Sequence, residues 1–277
     1  MSTTEQSGSV SSHYNLPDLA DAILQGLRES GKNPDRFDYN DLSPVDQFHT
    51  GGKRATIDLA RRAGVSADLA VLDVGGGLGG SARALAAEFG CRVTVLDLTE
   101  AYTSAGALLT ERTGLQDRVD FHTGSALEMP FADEQFDLVW LQHCSMNIAD
   151  KPRLFREIHR VLRPGGRVAL HEVVAGPNQP IHFPVPWAPE PSFSFLRPAP
   201  EIRALLAEAG FDELLWQDTT AAAIEWFRAR VAAIPATPPP LSLHLLLGTR
   251  FKPALENLLR NLEEERAAVL EAVLQRR

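Results

Sequence analysis

Short hydrophobic runs and helical spacings of apolar residues alternate along this chain from about residue 69 onward. Runs rich in Val, Leu or Phe, each bounded by Gly, Asp or Pro, predict strands. These strands cover 69–74, 92–97, 118–122, 136–142 and 167–174. Apolar residues three and four positions apart predict helices between them, at 79–89, 102–113 and 151–162. Strands that alternate with helices indicate an α/β fold, in which a doubly wound, mostly parallel sheet carries helices on both faces.

The residues before the first strand predict an N-terminal helical cap. Apolar residues recur at helical spacing over 17–31 and again over about 53–63, so a helix is predicted at each place. The Pro- and Asp-rich connector between them, 33–52, is too long for an idle turn. The predicted organisation is a disordered tail at 1–12, a helical cap and lid at 13–68, and a core at 69–277.

The last third of the chain interrupts the alternation. The Pro- and aromatic-rich segment 176–198 excludes a helix and is expected to form a wall of the substrate site. The pattern then predicts a helix, a strand and a second helix, at 199–209, 212–217 and 219–233. The stretch "LSLHLLLG", 241–248, predicts a late strand. Residues 252–276 predict an amphipathic C-terminal helix, because their leucines recur on one side.

Composition narrows the classes of function. With 44% apolar residues, the 277-residue chain can bury a sizeable core. The net charge of −9, without a Lys/Arg cluster, argues against a nucleic-acid partner. Cys91 and Cys144 have neither metal nor disulfide spacing, although a lone reactive thiol at Cys144 stays open. No apolar run approaches the roughly 18 residues of a membrane span. We therefore expect a soluble, cytoplasmic monomer or homodimer without a metal.

The stretch "VLDVGGGLGG", 71–80, exposes backbone directly after the first core strand. Gly75, Gly77 and Gly80 match the spacing of the dinucleotide-binding loop, and Asp97 ends the next strand, where an acidic residue suits ribose hydroxyls. This pattern leaves a dinucleotide, another nucleoside ligand and simple strand–helix packing as alternatives. Asp73 favours a cationic ligand, because its carboxylate would repel a pyrophosphate. S-adenosylmethionine has a sulfonium and an ammonium and no phosphate.

Four stretches together resemble the class I S-adenosylmethionine-dependent methyltransferases. They are "VLDVGGGLGG", "VTVLDLT", "GSALEMPFADEQFDLVW" and "REIHRVLRPGGRVAL". The stretches "DLSPVDQFHTGGKRAT", "QHCSMNIADK" and "FPVPWA" resemble the sarcosine/dimethylglycine N-methyltransferase-like small-molecule group. The resemblance implies a seven-stranded sheet with an antiparallel last strand, for which 241–248 is the candidate. It also implies S-adenosylmethionine as cofactor and S-adenosylhomocysteine as product.

The resemblance assigns cofactor contacts to particular positions. The resemblance implies Asp73, Gly75, Gly77 and Gln142 at the methionine end of the cofactor and Asp97 at the ribose hydroxyls. It implies Leu98, Ser125, Ala126 and Leu127 at the adenine, and Gln47 and His49 in the lid. Ser125 stands where the family usually has an acidic residue. Asp73 has a second interpretation as a loop-bracing carboxylate, and the lid residues have one as an exposed connector.

The acceptor site is expected at the carboxyl ends of the fourth and fifth strands, where ligands bind in such sheets. His143 and His171 are the candidates for a base or a substrate contact, although a structural histidine is the common alternative. The candidates for substrate contact are Met146, Asn147, Trp187 and Phe183. Core packing is the alternative for Trp187.

These features predict transfer of a methyl group to a small-molecule acceptor, with an amine nitrogen expected first. The reaction would be an in-line displacement that needs no metal but needs alignment and exclusion of water. O- or C-methylation of a larger secondary metabolite is the alternative, because the aromatic residues of 176–198 exceed what a glycine-sized acceptor needs. More distant alternatives are an NAD(P)-dependent oxidoreductase and a cofactor-binding protein without transferase activity.

Overall fold

The chain folds around a seven-stranded sheet in the computed structural model, which describes residues 18–277. In chain order the strands are β1 (Ala70–Val74), β2 (Arg92–Asp97), β3 (Val119–Thr123), β4 (Phe136–Gln142), β5 (Leu162–Ala175), β6 (Phe211–Asp218) and β7 (Ala267–Arg276). They lie in the order β3-β2-β1-β4-β5-β7-β6, and β7 runs antiparallel to both neighbours. The predicted sheet class is confirmed, while the predicted tail at 1–12 lies outside the described residues.

Helices cover both faces of this sheet. They are α1 (Leu19–Glu29), α2 (Gly52–Ala63), α3 (Gly80–Phe89), α4 (Glu100–Thr113), α5 (Lys151–Val161), α6 (Ala199–Glu208), α7 (Thr220–Ala232) and α8 (Phe251–Glu263). Helices α2 and α3 pack on one face, and α5 and α6 pack on the other. Strands β1 and β4 are therefore buried along most of their length, which explains their continuous apolar sequences. Helix α2, which the sequence analysis placed in the cap, packs instead on one face of the sheet.

A third apolar cluster forms the cap over the sheet. It joins residues of α1, α4, α7 and α8 with the segment 181–188. The segment 176–198 forms only a short 3-10 turn, Pro191–Phe193, as its prolines predict. Asn261 of α8 holds it in place, because its Oδ1 accepts from the His182 N–H at 2.7 Å and its Nδ2 donates to the His182 carbonyl at 3.0 Å.

Two predictions for the end of the chain are wrong. The stretch 241–248 contains a one-turn helix, His244–Leu247, and no strand. The helix predicted over 252–276 ends at Glu263, and the residues from Ala267 form β7. Glu265 between them has a left-handed φ of 55°, which interrupts an α-helix. Because β7 is buried on both faces, its sequence from Ala267 to Leu274 is apolar except at Glu271, and periodicity does not distinguish such a run from a buried helix.

Strand order also places the ligand crevice. The chain runs outward from β1 in both directions, with β2 and β3 on one side and β4 and β5 on the other. At such a switch point two neighbouring loops diverge, and a crevice opens at the carboxyl ends of the strands. Across residues 18–277 no helix has the length and apolar character needed to cross a bilayer.

Candidate cofactor and acceptor site

A cavity of about 220 Å³ opens at this crevice. The glycine loop after β1, the ends of β2 and β4, and the lid segment 45–50 form one part of its wall. Residues of α7 and α8, together with Pro186 and Trp187, form an apolar part. The cavity therefore joins the motif predicted to bind a cofactor to the segment predicted to contact a substrate.

Glycine, which has no side chain, is required in this loop for two separate reasons. Gly75 and Gly77 line the cavity with left-handed φ values of 71° and 55°, which side chains disfavour. A Cβ at Gly75 would also clash with the Cys144 sulfur. Gly80 serves packing instead, because a Cβ there would clash with the backbone carbonyl of Asp46 in the lid. The first two glycines thus leave room for a ligand, and the third lets the lid approach.

Two carboxylates lie together at this loop. Asp97 Oδ2 accepts from the Gly77 N–H, and its Oδ1 accepts from the Thr99 N–H, both at 2.9 Å. Asp73 is buried, and its Oδ2 has no hydrogen-bond partner within residues 18–277. Burial, followed by the charge of Asp97, raises the pKa of Asp73 to about 7. Such an unpaired buried oxygen fits a ligand that brings a cation or a donor, and it would repel a pyrophosphate.

The residues predicted at the adenine also reach the cavity wall. Leu98, Ser125, Ala126 and Leu127 all line it. The Ser125 hydroxyl accepts from the Leu127 N–H at 3.1 Å, so this side chain braces its own turn. Its hydroxyl hydrogen stays available as a donor, without the negative charge that an acidic residue would bring.

Gln142 lines the cavity, but its amide binds the protein. Its Oε1 accepts hydrogen bonds from Thr56, Ser81 and Trp140 at 3.1, 2.8 and 2.9 Å. Its Nε2 donates to His171 Nδ1 at 3.1 Å. With both ends of the amide engaged, Gln142 connects α2, α3 and β5 rather than offering a free group to the methionine end.

Of the two residues predicted in the lid, only one lines the cavity. His49 lines the cavity, and its Nε2 lies 3.1 Å from the Gly52 carbonyl and 3.0 Å from the Thr56 hydroxyl. A carbonyl only accepts, so this nitrogen carries the hydrogen. Gln47 does not reach the cavity wall, and its Nε2 donates to Asp46 Oδ1 at 3.4 Å. Its Oε1 is buried without a hydrogen-bond partner in the described chain, so the cofactor contact of Gln47 stays a prediction.

A buried ion pair fixes the lid on the core. Arg83 Nη2 lies 2.9 Å from Asp46 Oδ2, and the two side chains are 0% and 1% exposed. Arg83 Nη1 also donates to Thr110 Oγ1 at 2.8 Å. The lid is thereby tied to α3 and α4 at the edge of the cavity.

Three histidines lie beside the lid and the strand ends. The ring centroid of His143 lies 4.8 Å from that of His171, and both are 6.2 Å from His49. Burial is the main cause that lowers the pKa of His49 to about 4, of His171 to about 3, and of His143 well below 6.5. All three imidazoles are therefore neutral at pH 7. Within residues 18–277 no such cluster is arranged to hold a metal ion.

Only one of the two histidines predicted as catalytic faces the cavity. His143 lines it, and its Nε2 is buried without a hydrogen-bond partner in the described chain. His171 is absent from the cavity wall, and its Nδ1 accepts a hydrogen bond from Gln142, so its catalytic role stays a prediction. His143 has a left-handed φ of 53°, a strained conformation of the kind that clusters at functional sites.

A buried carboxylate holds the loop that carries His143. Glu172 Oε1 accepts from the backbone N–H groups of Cys144 and Ser145 at 3.1 and 3.3 Å, and Oε2 accepts from the Ser145 hydroxyl at 2.8 Å. Lys151 Nζ donates to the Ser145 and Ile148 carbonyls at 2.7 and 3.0 Å. Burial raises the pKa of Glu172 to about 7 and lowers that of Lys151 to about 8. Glu172 follows His171 directly on β5, so the two side chains point to opposite faces of the sheet, and the sequence analysis did not identify this bracing.

The predicted acceptor residues have different roles. Met146 and Trp187 line the cavity. Asn147 also lines it, but its Nδ2 donates to the Trp187 and Phe193 carbonyls, each at 2.9 Å, so it ties the wall together. Phe183 packs on the apolar cluster of the cap and is not part of the cavity wall, so its substrate contact stays a prediction. Burial also raises the pKa of the Cys144 thiol well above 9, which argues against a reactive thiolate.

Helix α7 supplies a part of the wall that the sequence did not single out. Trp226, Phe227 and Arg230 line the cavity, with Leu255 and Leu258 of α8. Helical spacing predicted both segments, but their apolar residues were indistinguishable from ordinary core positions.

Residues 72–170 match the family model described as a methyltransferase domain. This stretch of the chain therefore carries a methyltransferase domain. The unpaired Asp73 carboxyl and the bare glycine loop agree with the predicted cofactor, S-adenosylmethionine. The match begins within β1, at Leu72, and ends within β5, at Leu170. It therefore contains Asp73, Asp97 and His143.

Curated relatives resemble the domain over part of the chain. A sarcosine/dimethylglycine N-methyltransferase of Halorhodospira halochloris is 31% identical over 153 residues, 55% of this chain and 55% of that protein. A probable chloroplastic tocopherol O-methyltransferase of Oryza sativa subsp. japonica is 41% identical over 100 residues, 36% of this chain and 28% of that protein. The chain spans about half or less of the length of most curated relatives that it matches.

A solved structure shares the fold over the whole chain. A geranyl diphosphate C-methyltransferase from Streptomyces coelicolor A3(2) has a TM-score of 0.72 and 17% identity, and the match covers 99% of both chains. At this identity the likeness establishes the methyltransferase fold, including the cap and the antiparallel β7.

Proposed function

We propose that this chain is an enzyme that transfers a methyl group from S-adenosylmethionine to a small-molecule acceptor, and that the acceptor atom is an amine nitrogen. One observation carries the proposal. A single cavity is bounded by the unpaired carboxyl of Asp73 and by the unpaired Nε2 of His143. The methyltransferase domain supports the cofactor, and the second group supports an acceptor beside it.

The chain's own residues would bind and orient the cofactor. Asp97 suits the ribose hydroxyls, and Asp73 suits the ammonium or sulfonium through charge. Gly75 and Gly77 leave space for the methionine part, and Leu98 and Leu127 offer apolar contact to the adenine. When bound, S-adenosylmethionine supplies a methyl group attached to a positively charged sulfur. An aligned lone pair of the acceptor would attack this methyl group in line, with the sulfur as the leaving group.

His143 would orient the acceptor. Its imidazole is neutral, so Nε2 can accept a hydrogen bond from an N–H or O–H group and align the lone pair toward the cofactor. Its low pKa keeps the ring unprotonated at pH 7, so that Nε2 remains free to accept this hydrogen bond. Trp187 and Met146 exclude water from this part of the cavity.

The hydrogen-bonding character of His143 bears on the choice of acceptor atom. Relatives with N-, O- and C-methyltransferase names all match this chain. A hydrogen-bond acceptor beside the cofactor suits nitrogen and oxygen acceptors, which carry a hydrogen, and it has less use for a carbon acceptor. O-methylation is therefore the second candidate, and the same His143 would serve it.

Two measurements test the proposal. Calorimetry with S-adenosylmethionine and S-adenosylhomocysteine should show micromolar binding of both, while a fluorescence titration with NADH should show none. Labelled methyl transfer to a panel of amines and phenols then identifies the acceptor atom.

We expect His143→Ala to lower turnover about a hundredfold and to leave S-adenosylhomocysteine affinity unchanged. His182→Ala is the matched control, because His182 pairs with Glu264 away from the cavity. Tight NADH binding, or full activity of His143→Ala, would contradict the proposal.

A further inference from the structure

Arg230 brings a positive charge to an otherwise apolar part of the cavity wall. It lies on α7 with Trp226 and Phe227, and its guanidinium carbon is 5.2 Å from the centre of the Trp226 ring. Around it the wall consists of large apolar side chains, including Leu255 and Leu258 of α8. Helices α7 and α8 pack against each other, so this wall belongs to the cap and not to the strand ends.

Arg230 has no acidic partner within residues 18–277. Its neighbour Arg228, on the same helix, pairs with Glu263 at 2.7 Å. Arg230 is half-buried, and burial lowers its pKa without a carboxylate that offsets the effect. A desolvated guanidinium without a counter-ion is unfavourable in a folded protein. Acidic residues outnumber basic ones in this chain, whose net charge is −9, yet none of those in residues 18–277 pairs with Arg230.

The charges of the cavity are divided between its two parts. The acidic residues that line it are Asp46, Asp73, Asp97 and Asp150, and none of them lies on α7 or α8. Asp73 and Asp97 lie at the strand ends, where the cofactor is expected. His49 and His143 are neutral. Of the residues in the described chain that line the cavity, Arg230 is therefore the one cation at neutral pH.

We propose that the acceptor carries an oxyanionic group, which pairs with Arg230, on an apolar ring-containing body that packs against Trp226 and Phe227. This inference rests on the proposed function and names the class of acceptor for the same site. A carboxylate, a phosphate and a sulfonate share the required chemistry, because each presents two or more oxygens to the guanidinium fork. The aromatic wall suits a ring, and the arginine fixes which end of the molecule faces away from the acidic pair.

A matched pair of fluorescent probes tests this without knowledge of the acceptor. Anilinonaphthalene sulfonate has an apolar aromatic body with one oxyanion, and phenylnaphthylamine has the same body without it. Both are titrated into the full chain, with and without S-adenosylhomocysteine. Arg230→Gln should weaken sulfonate binding about tenfold or more and leave phenylnaphthylamine binding unchanged. Arg230→Lys should restore only part of the affinity, because lysine keeps the charge and lacks the fork, and Arg228→Gln should have no effect.

Competition with sodium sulfate gives a second readout that needs no variant. Sulfate should displace the sulfonate probe from the wild-type chain and leave phenylnaphthylamine in place. Equal losses of both probes in Arg230→Gln, or no loss of either, would overturn the inference, as would sulfate acting on both alike. Calorimetry with S-adenosylhomocysteine separates the two proposals. Failure to bind it contradicts the proposed function, whereas binding without discrimination between the probes contradicts only the role of Arg230.

Discussion

At the residue scale, the charge state of Asp73 is the most direct indicator of the ligand. The carboxyl is buried beside Asp97, and its pKa is raised to about 7, mainly by burial. A cationic ligand reverses this shift, because it stabilises the ionised form. Binding of S-adenosylmethionine and loss of the Asp73 proton are therefore linked.

Affinity for S-adenosylmethionine should follow that titration. We expect the affinity to rise as the pH increases from about 6 to about 8, since the ionised carboxylate becomes the dominant form in this range. Asp73→Asn should weaken binding about tenfold and flatten the pH dependence. Calorimetry across this range measures both effects. Asp120→Asn, on an exposed position of β3, should behave like the wild type. An unchanged pH dependence in Asp73→Asn would assign the titration to another group.

At the element scale, two buried carboxylates position the segments around the cavity. Glu172 on β5 holds the loop that follows β4, and Asp46 holds the lid on α3. Both segments are short and contain only a single helical turn each, so their geometry depends on these contacts. The His143 ring and the lid are thus placed by side chains that do not belong to the predicted site.

Glu172 should act on turnover through its ionised form. Ionised, it accepts three hydrogen bonds from the loop, whereas the protonated carboxyl must donate through one oxygen. With S-adenosylmethionine saturating, we expect kcat to fall as the pH drops below about 7, because Glu172 then gains a proton. Glu172→Gln should show a kcat about tenfold lower, with little pH dependence over the same range. Glu208→Gln, at an exposed position of α6, is the control. A Glu172→Gln profile that parallels the wild type would refute this role.

The lid ion pair should contribute strongly to stability when one partner is removed. Asp46→Ala leaves the fully buried Arg83 without a counter-ion, so the free energy of unfolding should fall by about 3–5 kcal/mol. Asp35→Ala breaks an ion pair with Arg112 in which Asp35 is 77% exposed, and it should change the free energy of unfolding by less than about 1 kcal/mol. Urea unfolding of both variants measures the difference. Similar values for the two would mean that the Asp46–Arg83 pair is solvated.

At the scale of the whole molecule, the last strand in sequence lies inside the sheet and not at its edge. Strand β7 lies between β5 and β6, so the final residues complete a sheet that began near residue 70. Val273 is 1% exposed and pairs with Ala169 on one side and Leu215 on the other. Without β7, the β6 edge and the helices on it would lose their attachment to the core.

A charge in β7 should therefore destabilise the entire fold. Val273→Asp buries an unpaired carboxylate in the middle of the sheet, and we expect a loss of more than about 4 kcal/mol or failure to fold. Leu214→Asp on the neighbouring β6 strand is the control, because Leu214 is 55% exposed and should tolerate the change within about 0.5 kcal/mol. Circular dichroism during chemical unfolding compares them. Tolerance of Val273→Asp would contradict the central position of β7.

The sequence by itself determined the first five strands, the glycine loop and the acidic residues beside it. These features are local, because a strand, its turn and the residue that ends it lie within a few positions and leave a contiguous pattern. For the same reason Asp73, Gly75, Gly77 and Asp97 could be assigned without knowledge of their neighbours.

Only the tertiary structure decided the role of each polar side chain and the nature of the last strand. Gln142 is engaged because Thr56 and Ser81, distant in sequence, approach it, and His171 is held behind it for the same reason. The apolar run of β7 fits a helix or a buried strand equally well until β5 and β6 flank it. Arg230 became a candidate only when the fold left it in the cavity wall without a carboxylate, because the absence of a partner leaves no pattern in the sequence.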